Sequence, residues 1–175
     1  MIPPLPAFPV STGSHYRPAR GHRHEDYSMP WKPHVTVAAV LERNGRFLFV
    51  EELVRGRKVI NQPAGHLEEG ESLVDAVRRE TLEETAWHME PTELVGLYQY
   101  QGRETGDTFL RVCFTGRLLE ADDDRDLDDG ILRALWLGPN ELDELHKSLR
   151  SPMVMRCVTD YLDGRRHPLE LIQRL

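Results

Sequence analysis

Cysteine is scarce in this 175-residue chain: Cys113 and Cys157 are the two present, 44 residues apart. Neither sits in a CxxC pair and no histidine stands nearby at zinc-site spacing, so nothing favours a disulfide or a zinc staple. Two buried free thiols in a reducing compartment are the expectation. A domain of this size buries roughly 70% of its unfolded surface and needs no such staple. Long apolar runs are also lacking. The longest, Val35 to Leu41, is far too short to cross a bilayer. The first residues lack a basic start followed by an unbroken apolar stretch, so no signal peptide is expected and a cytoplasmic location follows. Positive charge is in deficit, with a net charge of −7 and a pI near 5.6. That balance argues against a protein gripping nucleic acid by electrostatics alone.

Proline thins out after the start. Seven of the twelve prolines fall within residues 1–33, where missing N–H donors and fixed φ values disfavour regular structure. Residues 1–28 therefore read as a flexible extension and residues 29–175 as one folded domain, within the usual domain range. His15, His22 and His24 lie in the extension at no repeating spacing, which suits a solvated arm better than a metal site. With 39% hydrophobic and 29% charged residues, the whole is an ordinary globular composition.

What is present is acid, and it is concentrated. Residues 65–87 hold seven acids against Arg78 and Arg79, and residues 120–129 hold seven against Arg125, leaving the rest of the chain at +4. Around these stretches strands and helices alternate. Val35 to Leu41 and Arg46 to Val50 are apolar runs joined through Asn44-Gly45, a hairpin signal because both residues tolerate φ > 0. Leu94 to Tyr100, Thr108 to Leu119 and Ile131 to Leu137 read as further strands. Pro139 opens a helix through His146, and Pro152 opens another to about Leu162, closed by Gly164. The mixture indicates α/β or α+β and excludes a bundle or a pure sandwich.

Residues 70–87 form the long helical stretch of the first half, with Ser72 as cap and Asp75 three residues later. At about 100° per residue, Leu73, Ala76, Val77, Glu83 and Glu84 all fall within roughly 60° of Glu80. Three carboxylates thus share the face that should pack inward, with no Lys or Arg on that face to neutralise them all. Like charges at i, i+4 cost a few tenths of a kcal/mol, and burial of ionised carboxylates costs far more. A solvated acidic helix end is the plain explanation. A divalent-cation site is the sharper one, and an all-oxygen donor set suits Mg²⁺ or Mn²⁺ rather than zinc.

The same residues carry a resemblance. Gly65, five residues, Glu71, seven residues, then Arg79-Glu80-Thr81-Leu82-Glu83-Glu84-Thr85-Ala86-Trp87 resembles the signature box of the Nudix hydrolase family. Gly65, Glu71, Arg79, Glu80, Glu83 and Glu84 match it in type and spacing. Thr81 stands where the family has an apolar residue and Ala86 where it has glycine, and a left-handed exit at Ala86 would cost roughly 1 kcal/mol more than at glycine. KPHVTVAAV, NQPAGHLE, FLRVCF, LRSPMV and HPLELI, taken in order over residues 31–174, are similar to the NudJ phosphatase subgroup of that family.

The resemblance implies an α/β/α sandwich around a mixed β-sheet. It implies Mg²⁺-dependent hydrolysis of nucleoside di- or triphosphates or of thiamine-pathway pyrophosphates such as thiamine pyrophosphate. Glu83 and Glu84 are then the leading metal ligands, Glu80 is shared between ligand and general base, and the carbonyl of Ala64 joins the metal. Glu71 and Arg79 are expected to form a structural salt bridge holding the loop to the helix.

The acidic loop 120–129 fails as an EF-hand, because Leu127 occupies the glycine position and Arg133 the closing glutamate. It reads as a solvated loop, or as the source of one acid, Asp128 or Asp129, acting as base or additional ligand as in some Nudix enzymes. For substrate, Arg111 shares a strand face with Phe109 and Cys113. Lys32, Arg57 and Lys58 are further cationic candidates. Tyr98, Tyr100, Phe109 and Trp136 could stack on a ring or fill the core, with core the expectation for at least two of them. His34 and His66 lie near the predicted site, and a hydrogen-bonded structural role is the expectation for each. A domain that binds a nucleotide as effector without cutting it is the competing class, and intact Glu80, Glu83 and Glu84 speak against it. RNA 5′-end pyrophosphate removal is disfavoured by the acidic pI. The partner expected is a small phosphorylated molecule, with the chain a monomer or homodimer.

Overall fold

Strand β1 (His34–Val40) shows how the layers are built. Side chains alternate across a strand, and here both faces are apolar. Val37 and Ala39 enter one core cluster while Ala38 and Val40 enter another. A strand buried on both faces must be covered on both, and it is. The computed structural model describes residues 31–102 and 105–175, and the compact unit considered below spans Lys32–Leu175. The expected extension 1–28, with its three histidines, and the expected domain start at Met29 lie outside the described residues.

Following β1 are β2 (Glu42–Arg43), β3 (Arg46–Val54), β4 (Arg57–Asn61), β5 (Ala64–His66), α1 (Leu73–Thr85), β6 (Trp87–Gln101), β7 (Thr108–Ala121), β8 (Ile131–Leu137), α2 (Pro139–Glu144), α3 (Pro152–Leu162) and β9 (His167–Pro168). One sheet has the order β5-β1-β7-β6-β9 and is mixed, because β1 and β7 run parallel while the other pairs are antiparallel. The second carries β2, β3 and β4, with β8 on the other edge of β3. Helix α1 contributes Ala76 and Val77 to the cluster containing Val37, Ala39 and Phe114. Helix α3 contributes Val154, Cys157 and Val158 to the cluster containing Ala38, Phe49 and Cys113. The result is an α/β/α sandwich, and both thiols are buried and free.

The Asn44-Gly45 turn forms as its residues require, at φ 55° and 74°. Helix α1 is shorter than its sequence pattern, because Ser72 caps it by accepting from the Asp75 N–H at 3.0 Å. Strand β6 is longer than expected, starting directly after the helix at Trp87. Its ladder with β7 slips at three places, between Trp87/Met89, Pro91/Glu93 and Leu94/Gly96. Each slip breaks the period-two pattern from which a strand is read. Among the described residues, no helix is long and apolar enough to cross a membrane.

Candidate active site

Helix α1 delivers two carboxylates into the protein. Glu80 and Glu84 are each 8% exposed, on the same face as the fully buried Ala76 and Val77. Thr81, the polar departure in the box, is fully buried as well. Its hydroxyl donates to the Val77 carbonyl at 2.7 Å, so burial leaves it partnered. The helix ends with Ala86 at φ 58°, in the left-handed region, its N–H donating to the Leu82 carbonyl.

Strand β5 closes over these carboxylates. The Ala64 N–H donates to Glu84 Oε2 at 2.8 Å. Gly65 lies so close to Glu80 that a Cβ there would stand 2.1 Å from its carboxylate, which is why this position cannot carry a side chain without displacing Glu80. Burial pushes the Glu84 carboxyl up to about 8, against the pull of the Ala64 N–H and reinforced by the Glu80 and Glu52 charges. Burial likewise raises Glu80, with Glu83 and Asp128 adding to the rise.

Arg79 ties the loop, the helix and the acids together. Its Nε and Nη2 donate to the two oxygens of Glu71 at 2.8 and 3.0 Å, and Nη2 also donates to the His66 carbonyl. Its Nη1 donates to Glu80 at 2.8 Å and Glu83 at 3.0 Å. The fork on Glu71 holds that carboxyl below its usual value and raises Arg79 further above its own. Of the acidic loop, Asp128 arrives at the helix end, its N–H donating to the Glu83 carbonyl at 3.0 Å.

Whether these residues suit a divalent cation rests on their donors. Glu80, Glu83, Glu84 and the Ala64 carbonyl offer oxygen alone, the preference of Mg²⁺ and Mn²⁺. Two of the carboxylates are buried where ionisation is unfavourable unless a cation compensates. Arg79 now supplies part of that charge to Glu80 and Glu83. Among the described residues no three acids, histidines or cysteines stand already gathered as a ligand set. The donor chemistry fits; the carboxylates hold Arg79 in this arrangement.

Beside β5 opens a cavity of about 500 Å³. Ala64, Gly65 and His66 form one wall, with Tyr100, Phe109 and Arg111 among the other lining residues. Four buried side-chain atoms without a hydrogen-bond partner among the described residues belong to residues lining this cavity: Thr36 Oγ1, Asn61 Oδ1, Arg111 Nε and Ser151 Oγ. Arg111 is 5% exposed and donates through Nη1 to Gln62 Oε1 at 3.1 Å. Orphaned buried polar atoms are uncommon enough to require an explanation, and four of them belong to residues that line this one cavity.

The cavity brings together some of the sequence candidates and not others. His34 stacks on Phe109 with ring centroids 5.0 Å apart and meets His66 edge-on at 5.3 Å. Burial lowers the His66 pKa, with His34 and then Arg150 adding to the fall. Arg57 lines the cavity; Lys58 does not. Lys32 is exposed just before β1 and is not among the cavity's lining residues. Tyr98 is turned away from it, toward a groove with Met153, Arg156 and Asp160, where its hydroxyl donates to Asp160 Oδ2 at 3.1 Å. Trp136 meets Trp87 edge-on, 6.4 Å between centroids, packed on the α1-side core. Sequence reasoning missed Thr36, Asn61, Ser151, Glu52 and Arg150. Glu52 and Arg150 had one legible trace, an acid inside an apolar strand and the arginine of LRSPMV.

The chain is similar to known proteins over most of its length. The family model described as NUDIX domain matches residues 31–157. Phosphatase NudJ of Escherichia coli strain K12 is 39% identical over 142 residues, covering 81% of this chain and 92% of NudJ. A NUDIX hydrolase from Nitrosomonas europaea superposes with a TM-score of 0.81 at 46% identity, over 82% of this chain and 98% of that one. The E. coli ORF135 protein, at 19% identity and a TM-score of 0.61 over 77% of this chain and 91% of that one, shares the fold.

Proposed function

This chain belongs to the Nudix hydrolase family, and on that premise we propose that it is a Mg²⁺-dependent hydrolase of phosphate or pyrophosphate bonds in small molecules. Its substrates are nucleoside di- or triphosphates or thiamine-pathway pyrophosphates, Mn²⁺ can replace Mg²⁺, and the setting is the cytoplasm. One observation carries the reading. The three-residue strand β5 closes over the buried carboxylates through Ala64 and Gly65 and also walls the cavity with its orphaned polar atoms. A diphosphate straddling β5 would have its anhydride at the acids and its organic half in the cavity.

Glu83, Glu84, Glu80 and the Ala64 carbonyl are the groups that would hold the cation. A divalent ion there screens the diphosphate's charge and lowers the pKa of water for attack. Glu80, raised by burial, is suited to accept a proton, since a base works best with its pKa moved toward the working pH. Asp128, which acts on Glu80 by its charge, is the loop acid placed to share that role. Arg79 and Glu71 orient the helix against β5. Arg111, buried and with Nε unpartnered among the described residues, meets the polar part of the substrate in the cavity.

Phosphate release from a panel of nucleotides and thiamine pyrophosphate, with Mg²⁺ and with chelator, tests the proposal. Turnover of at least one member that requires the metal is expected. No turnover across the panel would favour the effector-binding alternative.

A further inference from the structure

Arg150 comes to the cavity from a part of the chain that the family box does not include. Its backbone N–H donates to the Ile60 carbonyl at 2.9 Å, and Leu149 bridges Ile60 in parallel. From that tether the side chain reaches β3, where Nη1 donates to Glu52 Oε2. Glu52 is 7% exposed, and the ladder between β3 and β8 shifts register at Glu51/Glu52. Neighbouring Glu51 instead pairs with the more exposed Arg133 at 3.0 Å.

The pair faces two ways. Glu52 is Arg150's hydrogen-bonded side-chain partner among the described residues, and it engages Nη1. The Arg150 side chain is 43% exposed and lines the cavity beside Ala64, Gly65 and His66. Its charge acts on both the Glu84 carboxyl and the His66 ring. Arg150 therefore lines the cavity within electrostatic reach of Glu84.

A structural role alone explains this poorly. An ion pair whose cation is this exposed is a weak source of stability. A phosphate chain laid along β5 would run past the buried Glu80 and Glu84, and Arg150 adds a positive charge on the cavity side of that path, beside the cation these acids would hold. A guanidinium fixed on one edge has its other edge preorganised for phosphate oxygens.

We propose that Arg150 is a phosphate-binding residue of the candidate site, holding the substrate phosphate between the carboxylates and the cavity, and that Glu52 is its positioning residue. The proposal rests on the hydrolase reading for the location of the substrate but concerns a contact of its own.

The test uses the full chain, Mg²⁺ and the variants Arg150→Met, Arg150→Lys and Glu52→Gln. Charge-assisted hydrogen bonds of this kind are worth enough for a KM increase of about tenfold or more in Arg150→Met, with kcat changed less than about threefold. Glu52→Gln should raise KM in the same sense with kcat kept. Inorganic pyrophosphate should raise the wild-type Tm and raise that of Arg150→Met much less. This second measurement needs no turnover, so an inactive wild type sinks the hydrolase reading while still testing Arg150. Equal pyrophosphate shifts in wild type and Arg150→Met, no shift in the wild type, or an unchanged KM overturns the proposal. If Arg150→Met does not fold, Arg150→Lys decides. A folded lysine variant with a reduced pyrophosphate shift supports a phosphate contact, and an undiminished shift assigns the pair to structure.

Discussion

Gly65 and Glu80 cannot both carry full side chains in this arrangement. A Cβ on Gly65 would lie 2.1 Å from the Glu80 carboxylate, inside any contact distance. The glycine that opens the family box is thereby explained by close approach rather than by an unusual φ. Gly65→Ala is expected to push Glu80 out of its place and to lower kcat/KM at least tenfold. Parallel thermal melts and initial rates check it. A variant as active as the wild type would show that Glu80 need not sit where it does.

Glu84 gives a pH dependence with a definite sign. Its folded value near 8 lies above the usual 4.5, so the fold favours the neutral carboxyl. That contribution is complete below about pH 4.5 and is lost as pH rises toward 8, by on the order of 1 kcal/mol per pH unit. In chelator, stability should fall across that window, and Mg²⁺ should raise Tm more at pH 8 than at pH 6 because it binds the ionised form. Glu84→Gln should flatten the chelator profile, abolish the Mg²⁺ increment, and cut turnover by about a hundredfold or more. Retention of full turnover in a folded Glu84→Gln removes Glu84 from the ligand set.

Arg79 is expected to resist its conservative replacement. Lysine cannot reproduce the fork on Glu71 while also reaching Glu80, Glu83 and the His66 carbonyl. Arg79→Lys should lose about 1–3 kcal/mol of stability in urea unfolding. Glu71, held below its usual value by Arg79, contributes stability that is present above about pH 4.5 and lost as pH falls below it. The deficit of Arg79→Lys should therefore shrink in acid.

Ala86 occupies the left-handed exit of α1 at φ 58°. Replacing it with glycine removes a Cβ penalty and adds unfolded-state entropy, with a net gain of about 0.5–1 kcal/mol expected. Turnover should be unchanged. A lower Tm would mean that the methyl group packs usefully enough to offset the strain.

Local sequence determined a good deal of this protein. The Ser72 cap, the inward face of α1 and the left-handed exit at Ala86 depend on residues within a few turns of one another, where periodicity and capping rules operate. Asn44-Gly45 made its hairpin for the same reason. The box spacing from Gly65 to Glu84 was legible because one loop and one helix carry it. Tertiary structure alone decided that Gly65 abuts Glu80, that Arg150 meets Glu52 across 98 residues of chain, and that Thr36, Asn61, Arg111 and Ser151 surround one cavity. It also turned Tyr98 to the α3 side and set the length of β6 through bulges that erase its alternation. Such contacts join residues with no fixed sequence spacing. They arise when the two sheets and the helices pack, and only then does each buried polar group acquire a partner or remain without one.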